Sequence, residues 1–257
     1  MNNKLEDIKK IKVTKPLKLD CGKTINNFPL AYETYGNLSK GKDNAILVFH
    51  ALTGDQFISE TNPITNKEGW WTTAVGPGKA IDTDKYFVIC ANVIGGCMGS
   101  LGPKDINPET KQPYGLDFPV ITIRDMVRAQ ESLLDHLGIK KLLCATGGSM
   151  GGMQLLQFCS TFPDKAFSAI PIACSSSHSA QNIALNELAR QAIMADPVWD
   201  KGKYVLKNVQ PKNGLAVARM VGHISYLSEK GMQEKFGRKL QEKADYEFSF
   251  NADFQVE

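Results

Sequence analysis

Alternating apolar and polar residues open the chain. IKVTKPLKL (11–19) and FPLAYETYG (28–36) each send every second side chain to one face, the pattern of half-exposed antiparallel strands. They are expected to form one edge of a sheet. Two unbroken apolar runs follow, AILVFH (45–50) and YFVICAN (86–92), which read as parallel strands covered on both faces, with a helix connecting to each. TIRDMVRAQESLLDHLG (122–138) has helical apolar spacing, begins at a Thr122/Asp125 capping pair and stops at Gly138. It leads to KLLCAT (141–146), a short buried strand, then to MQLLQFCSTFP (153–163), a helix that Pro163 ends, and to AFSAIPIA (166–173), read as another buried strand. This order predicts an α/β core over residues 1–177. From residue 178 the periodicity is helical only: SAQNIALNELARQAIMA (179–195), GLAVARMVGHISYLS (214–228) and EKGMQEKFGRKLQ (229–241), with Pro197 and Pro211 between the pieces. Residues 178–257 are expected to be a helical insertion.

Between the strand at 141–146 and its helix lies ATGGSMGGMQ (145–154), four glycines around one serine. Glycine destabilises regular structure, so such a cluster marks a tight turn or a close backbone approach. Gly147, Ser149 and Gly151 fit G-x-S-x-G, in which a strained strand-to-helix corner exposes a nucleophilic hydroxyl. A phosphate-binding loop is the competing reading. No G-x-x-x-x-G-K-[ST] is present, and GPGKA (76–80) lacks the first glycine and the hydroxyl residue. Ser149 is therefore the candidate nucleophile. The oxyanion donors of such a corner are the N–H after the serine and one from the loop after the first buried strand, here Met150 and Leu52 of HALTG (50–54).

A serine needs a base, and the chain order of an elbow fold is serine, acid, histidine. Only His178 and His223 follow Ser149; His50 and His136 precede it. For His178 and His223 a structural or substrate-facing role is the simpler reading. Asp164, Asp196, Asp200, Asp245 and Asp253 are available acids, most of them in positions suited to caps and loops.

Composition narrows the function classes. A net charge of +3, from 30 basic against 27 acidic residues interspersed along the chain, argues against nucleic acid as a partner. No apolar run approaches the roughly 20 residues of a membrane span, and no hydrophobic segment follows MNNKLEDIKK as a signal peptide requires. A cytoplasmic protein is expected. Six cysteines without a C-x-x-C pair, mostly in apolar stretches, favour reduced core thiols over disulfides or a metal site.

HALTGD (50–55), GWWTTAVGPGKAIDTDKYFVICANVIGGCMGSLGP (69–103), ATGGSMGGMQ and NGLAVARMVGHISYLSEKGMQEKFGR (213–238) together resemble the homoserine O-acetyltransferases of the α/β-hydrolase superfamily, in the family's order and from about residue 12 onward. The resemblance implies the α/β-hydrolase fold, a mostly parallel sheet with a helical lid. It implies a ping-pong transfer in which Ser149 takes acetyl from acetyl-CoA and the hydroxyl of L-homoserine removes it, with acetyl-CoA as substrate and no cofactor. Thr53, Arg219 and Tyr226 correspond to substrate contacts, Arg219 for the homoserine carboxylate. A guanidinium amid LAVARMV is costly unless it meets an anion, and its planar fork matches a carboxylate. Trp70 and Trp71 read as packing rather than as a stacking platform for CoA. The resemblance also implies a homodimer through the lid helices in the complete enzyme. The family's triad Asp and His lie beyond the lid and match no position here, so the C-terminal strands and helices of the fold are expected to be missing and efficient turnover absent. A homoserine O-succinyltransferase or serine O-acetyltransferase of the same scaffold, an α/β-hydrolase esterase and a catalytically empty fragment remain open.

Overall fold

The computed structural model describes residues 6–207, 209–241 and 255. The chain forms two compact units, Met1–Ser177 and His178–Glu257. The first is built on a six-stranded sheet of β1 (Lys10–Val13), β2 (Phe28–Tyr35), β3 (Ala45–Phe49), β4 (Phe87–Ala91), β5 (Leu142–Gly148) and β6 (Ala166–Ile172), in the spatial order β1-β2-β4-β3-β5-β6. β1 and β2 pair antiparallel at one edge, and β2 runs antiparallel to β4. The remaining pairs, β4 with β3, β3 with β5 and β5 with β6, are parallel. The alternating segments thus lie at one edge and the continuous apolar runs in the middle, where every residue of β3 and β4 is buried.

Two helices cover one face. α1 (Ile123–Leu137) begins at a capping box, the Thr122 hydroxyl accepting from the Asp125 N–H and the Asp125 carboxylate accepting from the Thr122 N–H. It ends where Gly138 takes a left-handed conformation, φ 68°. α2 (Met150–Thr161) packs Leu155 and Phe158 beside Leu133 and Leu134 of α1, against Leu47, Phe49 and Ile89 of the sheet.

The opposite face departs from the helical connection expected between β3 and β4. Residues 50–86 cross over as turns, with one short ladder of Val75–Gly76 against Ile81–Asp82, and supply Ile58, Val75 and the partly buried Trp71 to cover Ile46, Val48, Val88 and Cys90. Side-chain hydrogen bonds from within the stretch and from β2 hold these turns. Asn62 Oδ1 accepts from the Ile64 and Thr65 N–H groups, and the Tyr35 hydroxyl accepts from the Ile58 N–H at 3.0 Å while donating to the Gln56 carbonyl at 3.1 Å.

β6 is a second correction. It was expected to be buried, yet six of its seven residues are exposed, Phe167 at 78% and Ile170 at 54%. Among the described residues it pairs only with β5, at the edge of the sheet, and its apolar side chains are left largely uncovered. The cysteines also divide: Cys90 is buried, but Cys21 and Cys97 are exposed, and all six are free thiols.

The second unit holds α3 (Ala180–Ala195), α4 (Lys212–Tyr226) and α5 (Glu229–Lys235). α3 and α4 close on each other at Gly214, where a β-carbon would sit 2.5 Å from the Ala192 carbonyl oxygen. Asp196 joins the pieces by accepting from the Gly214 N–H at 3.0 Å and the Val198 N–H at 2.9 Å, which holds its carboxyl below the usual range. Among the described residues, no helix is long and apolar enough to cross a membrane.

An unpaired apolar edge strand invites pairing with other chains. Phe167→Lys is expected to raise the concentration at which the chain stays monodisperse in dynamic light scattering. Unchanged scattering would show that β6 is not the adhesive surface.

Candidate active site

Ser149 sits between β5 and α2 with φ 55° and ψ −122°, a left-handed geometry that a residue with a β-carbon adopts at a cost of about 1–3 kcal/mol. Its side chain is exposed. Its N–H donates to the Ile172 carbonyl at 3.0 Å, which pins the corner to the end of β6. Both flanking glycines are required by contact. A β-carbon on Gly147 would lie 2.6 Å from the Gly151 backbone, and one on Gly151 would strike the Phe49 carbonyl. These absences let the first turn of α2 close on the end of β3. The Met150 N–H, in that first turn, has no intrahelical acceptor and is free for an anion.

HALTG leaves the sheet directly after β3. Leu52, nominated as the second donor, and Thr53 are both exposed at the turn closed by the Gly54 N–H and the Ala51 carbonyl at 2.9 Å. Beneath them His50 is 1% exposed. Its Nδ1–H donates to the Ala51 carbonyl at 2.8 Å, and Nε2 accepts from the Val93 N–H at 3.2 Å. Both ring nitrogens are engaged and burial pushes the imidazole pKa down, so His50 is a neutral structural group and not a base. Asp55, next along, accepts from the Phe57 N–H and from Asn62 Nδ2; burial raises its carboxyl above the ordinary value. Trp70 donates Nε1–H to the Asp55 carbonyl and stacks on Trp71 at 5.5 Å, so this pair braces the segment after the turn.

The other candidates lie in the second unit. His178 is exposed at its start, and His223 packs its ring 5.4 Å from Phe236. Among the described residues, none of the four histidines hydrogen-bonds a carboxylate. Arg219 and Tyr226 on α4 are exposed, Tyr226 at 85%. The apolar residues around Arg219 do not bury it, because Val217, Met220 and Ile224 are themselves exposed and α4 buries only Gly214. Of the possible acids, Asp164 is exposed, Asp196 is the cap described above and Asp200 pairs with Lys207 at 2.7 Å. Asp245 and Asp253 lie outside the described residues. Among the described residues no cluster of His, Cys, Asp and Glu is placed to hold a metal ion. A cavity of 610 Å³ lies between Lys15–Asp20 and the C-terminal end of α2, and Thr161 and Phe162 line it. That is a helix length of about 18 Å from Ser149. Among its charged groups Arg128 pairs with Asp20 and Lys15 with Glu131, and Ser149 does not line it.

A left-handed serine at a strand-to-helix corner, on a mostly parallel sheet, defines an α/β hydrolase, and the family model described as alpha/beta hydrolase fold matches residues 44–250. The homoserine O-acetyltransferase of Pelagibacter ubique is 68% identical over 251 residues, 98% of this chain and 68% of that protein. The crystal structure of homoserine O-acetyltransferase from Bacillus anthracis superposes with a TM-score of 0.81 at 31% identity, over 88% of this chain and 62% of that one. That of an esterase superposes with a TM-score of 0.82 at 29% identity, over 97% and 70%. The chain belongs to the homoserine O-acetyltransferase family. It spans between 60% and 68% of the length of the curated relatives it matches.

Two outcomes follow for the corner. Ser149→Gly removes the strained β-carbon and is expected to raise stability by about 1 kcal/mol in urea unfolding; a loss would mean that Ser149 is unstrained. His50 has a folded pKa below its unfolded value of about 6.5, so its contribution is full above that pH and is lost as pH falls toward the folded pKa. Stability is expected to decline below about pH 6.5, and His50→Asn to flatten that part of the profile.

Proposed function

We propose that Ser149 accepts an acetyl group from acetyl-CoA and passes it to the hydroxyl of L-homoserine, as the named activity of the relatives indicates. The observation that carries this reading is the strained Ser149 corner, with its hydroxyl exposed beside the free N–H of Met150. The serine oxygen attacks the thioester carbon, and its charge moves to the carbonyl oxygen, where the N–H groups of Leu52 and Met150 receive it. The C–S bond breaks, the serine proton goes to a base, and CoA leaves as the thiol. The homoserine hydroxyl then attacks the acetyl ester and restores Ser149. No cofactor enters these steps. Thr53, Arg219 and Tyr226 are the proposed acceptor contacts, Arg219 as a bidentate partner for the homoserine carboxylate. The exposed apolar residues of α3 and α4, Ile183, Leu188, Val217 and Ile224, fit a homodimer formed through these helices.

The esterase among the structural neighbours supports a second reading, in which water replaces homoserine. General-base catalysis contributes on the order of 10²- to 10⁴-fold, and none of the four histidines is arranged for it, so turnover by this chain is expected to be slow. The test is peptide mass spectrometry for acetyl on Ser149 after incubation with acetyl-CoA, alongside thiol release with and without homoserine. Acetyl on Ser149, discharged faster by homoserine than by serine or water and lost in Ser149→Ala, is the expected result. Label from succinyl-CoA in its place would reassign the donor. Hydrolysis of 4-nitrophenyl acetate that homoserine does not accelerate would favour the esterase.

A further inference from the structure

A chain of buried amides ties the oxyanion segment to the nucleophile helix. Gln154, in the second turn of α2, is fully buried, and its Nε2 donates to the His50 carbonyl at 3.1 Å. Its Oε1 accepts from Nε2 of Gln130 on α1 at 2.7 Å, with Gln130 also buried. A backbone carbonyl only accepts, so Gln154 must turn its amide nitrogen to His50, and Gln130 must then donate to Gln154. The direction of the chain is fixed from one end to the other. The His50 carbonyl lies where β3 ends and the Ala51–Gly54 turn begins. The Ala51 carbonyl within that turn receives the His50 ring as well as the Gly54 N–H.

Stability alone does not account for this arrangement. Gln154 shares the buried stripe of α2 with Gly151, Leu155 and Phe158, where an aliphatic residue would fill the space without desolvating an amide. The chain also leaves Gln130 Oε1 buried without a partner among the described residues, which costs stability. What the glutamine supplies, and a leucine could not, is a directional bond from the helix of Ser149 to the carbonyl that precedes the Leu52 turn. We propose that Gln154 is a positioning residue, acting through His50 to hold the Leu52 N–H in fixed relation to the Met150 N–H. The proposal rests on the acyl-transfer reading, because only an oxyanion requires those two donors to converge.

The test uses the full chain carrying Gln154→Met, of similar volume and without a donor, and Gln154→Glu. Hydrogen exchange read by mass spectrometry is expected to quicken about tenfold across residues 50–56 in Gln154→Met, the loss of about one net hydrogen bond, while peptides of β3 and α1 exchange as in the wild type. In Gln154→Glu the ionised carboxylate cannot donate to a carbonyl, so residues 50–56 exchange fast at high pH. Relative to the wild type at the same pH they recover protection where the carboxyl is protonated. Exchange at 50–56 that is unchanged in Gln154→Met, or that rises equally in every peptide, would overturn the proposal and leave Gln154 as core filling. In parallel, acetylation of Ser149 by 4-nitrophenyl acetate is expected to fall about tenfold at saturation in Gln154→Met, with the ester KM unchanged, part of the 10²- to 10³-fold worth of an oxyanion donor. A wild-type chain that forms no acetyl-Ser149 would fail the acyl-transfer reading, while the exchange pattern would still decide the tether.

Discussion

The first unit depends on how closely helix α2 approaches the end of strand β3. With no side chain at Gly151, the first turn of the helix comes down on the Phe49 carbonyl, and a single methyl there would separate the two. That approach forces the chain to reverse within one residue, and Ser149 takes the left-handed conformation. The strain persists because Phe158 packs against Phe49 at 5.7 Å and Leu155 joins the same cluster, so the corner cannot relax without opening the core. Backbone strain at Ser149 and packing of the core are therefore two readings of one contact.

The proposed acyl transfer from this corner leaves the acceptor open. A homoserine O-acetyltransferase and an esterase both superpose on this chain with TM-scores above 0.8. A shared nucleophile corner cannot distinguish water from an amino-acid hydroxyl, and discrimination falls to the groups that meet the second substrate. In this chain Thr53, Arg219 and Tyr226 are the exposed side chains nominated for that task.

The corner was legible because its causes are local: the glycine spacing, the strand before it and the helix after it all lie within about twenty residues. The same holds for α1, whose Thr122/Asp125 box and Gly138 stop are written into its own ends. Features set by distant neighbours were not legible. Residues 50–86 carry no period to show that turns would cover a sheet face, and AFSAIPIA has the composition of a buried strand whether or not anything lies beside it. LAVARMV looks buried for the same reason. Gln154 was missed because a glutamine in a helix reads as surface, although its place on the stripe of Gly151, Leu155 and Phe158 was the available signal.

The strand order has a consequence for how the chain acquires its shape. β3, the most enclosed strand, lies between β4 and β5, which come from residues 87–91 and 142–148. During synthesis, the segment that ends in the Ala51–Gly54 turn leaves the ribosome long before either flank exists. Pairing this distant closes slowly, since the loop entropy must be overcome before any contact forms. Until β5 arrives, AILVF can pair only with β4 and keeps one open apolar edge, the kind of surface that promotes association between nascent chains. The residues that hold Ser149 in place are thus among the last to meet.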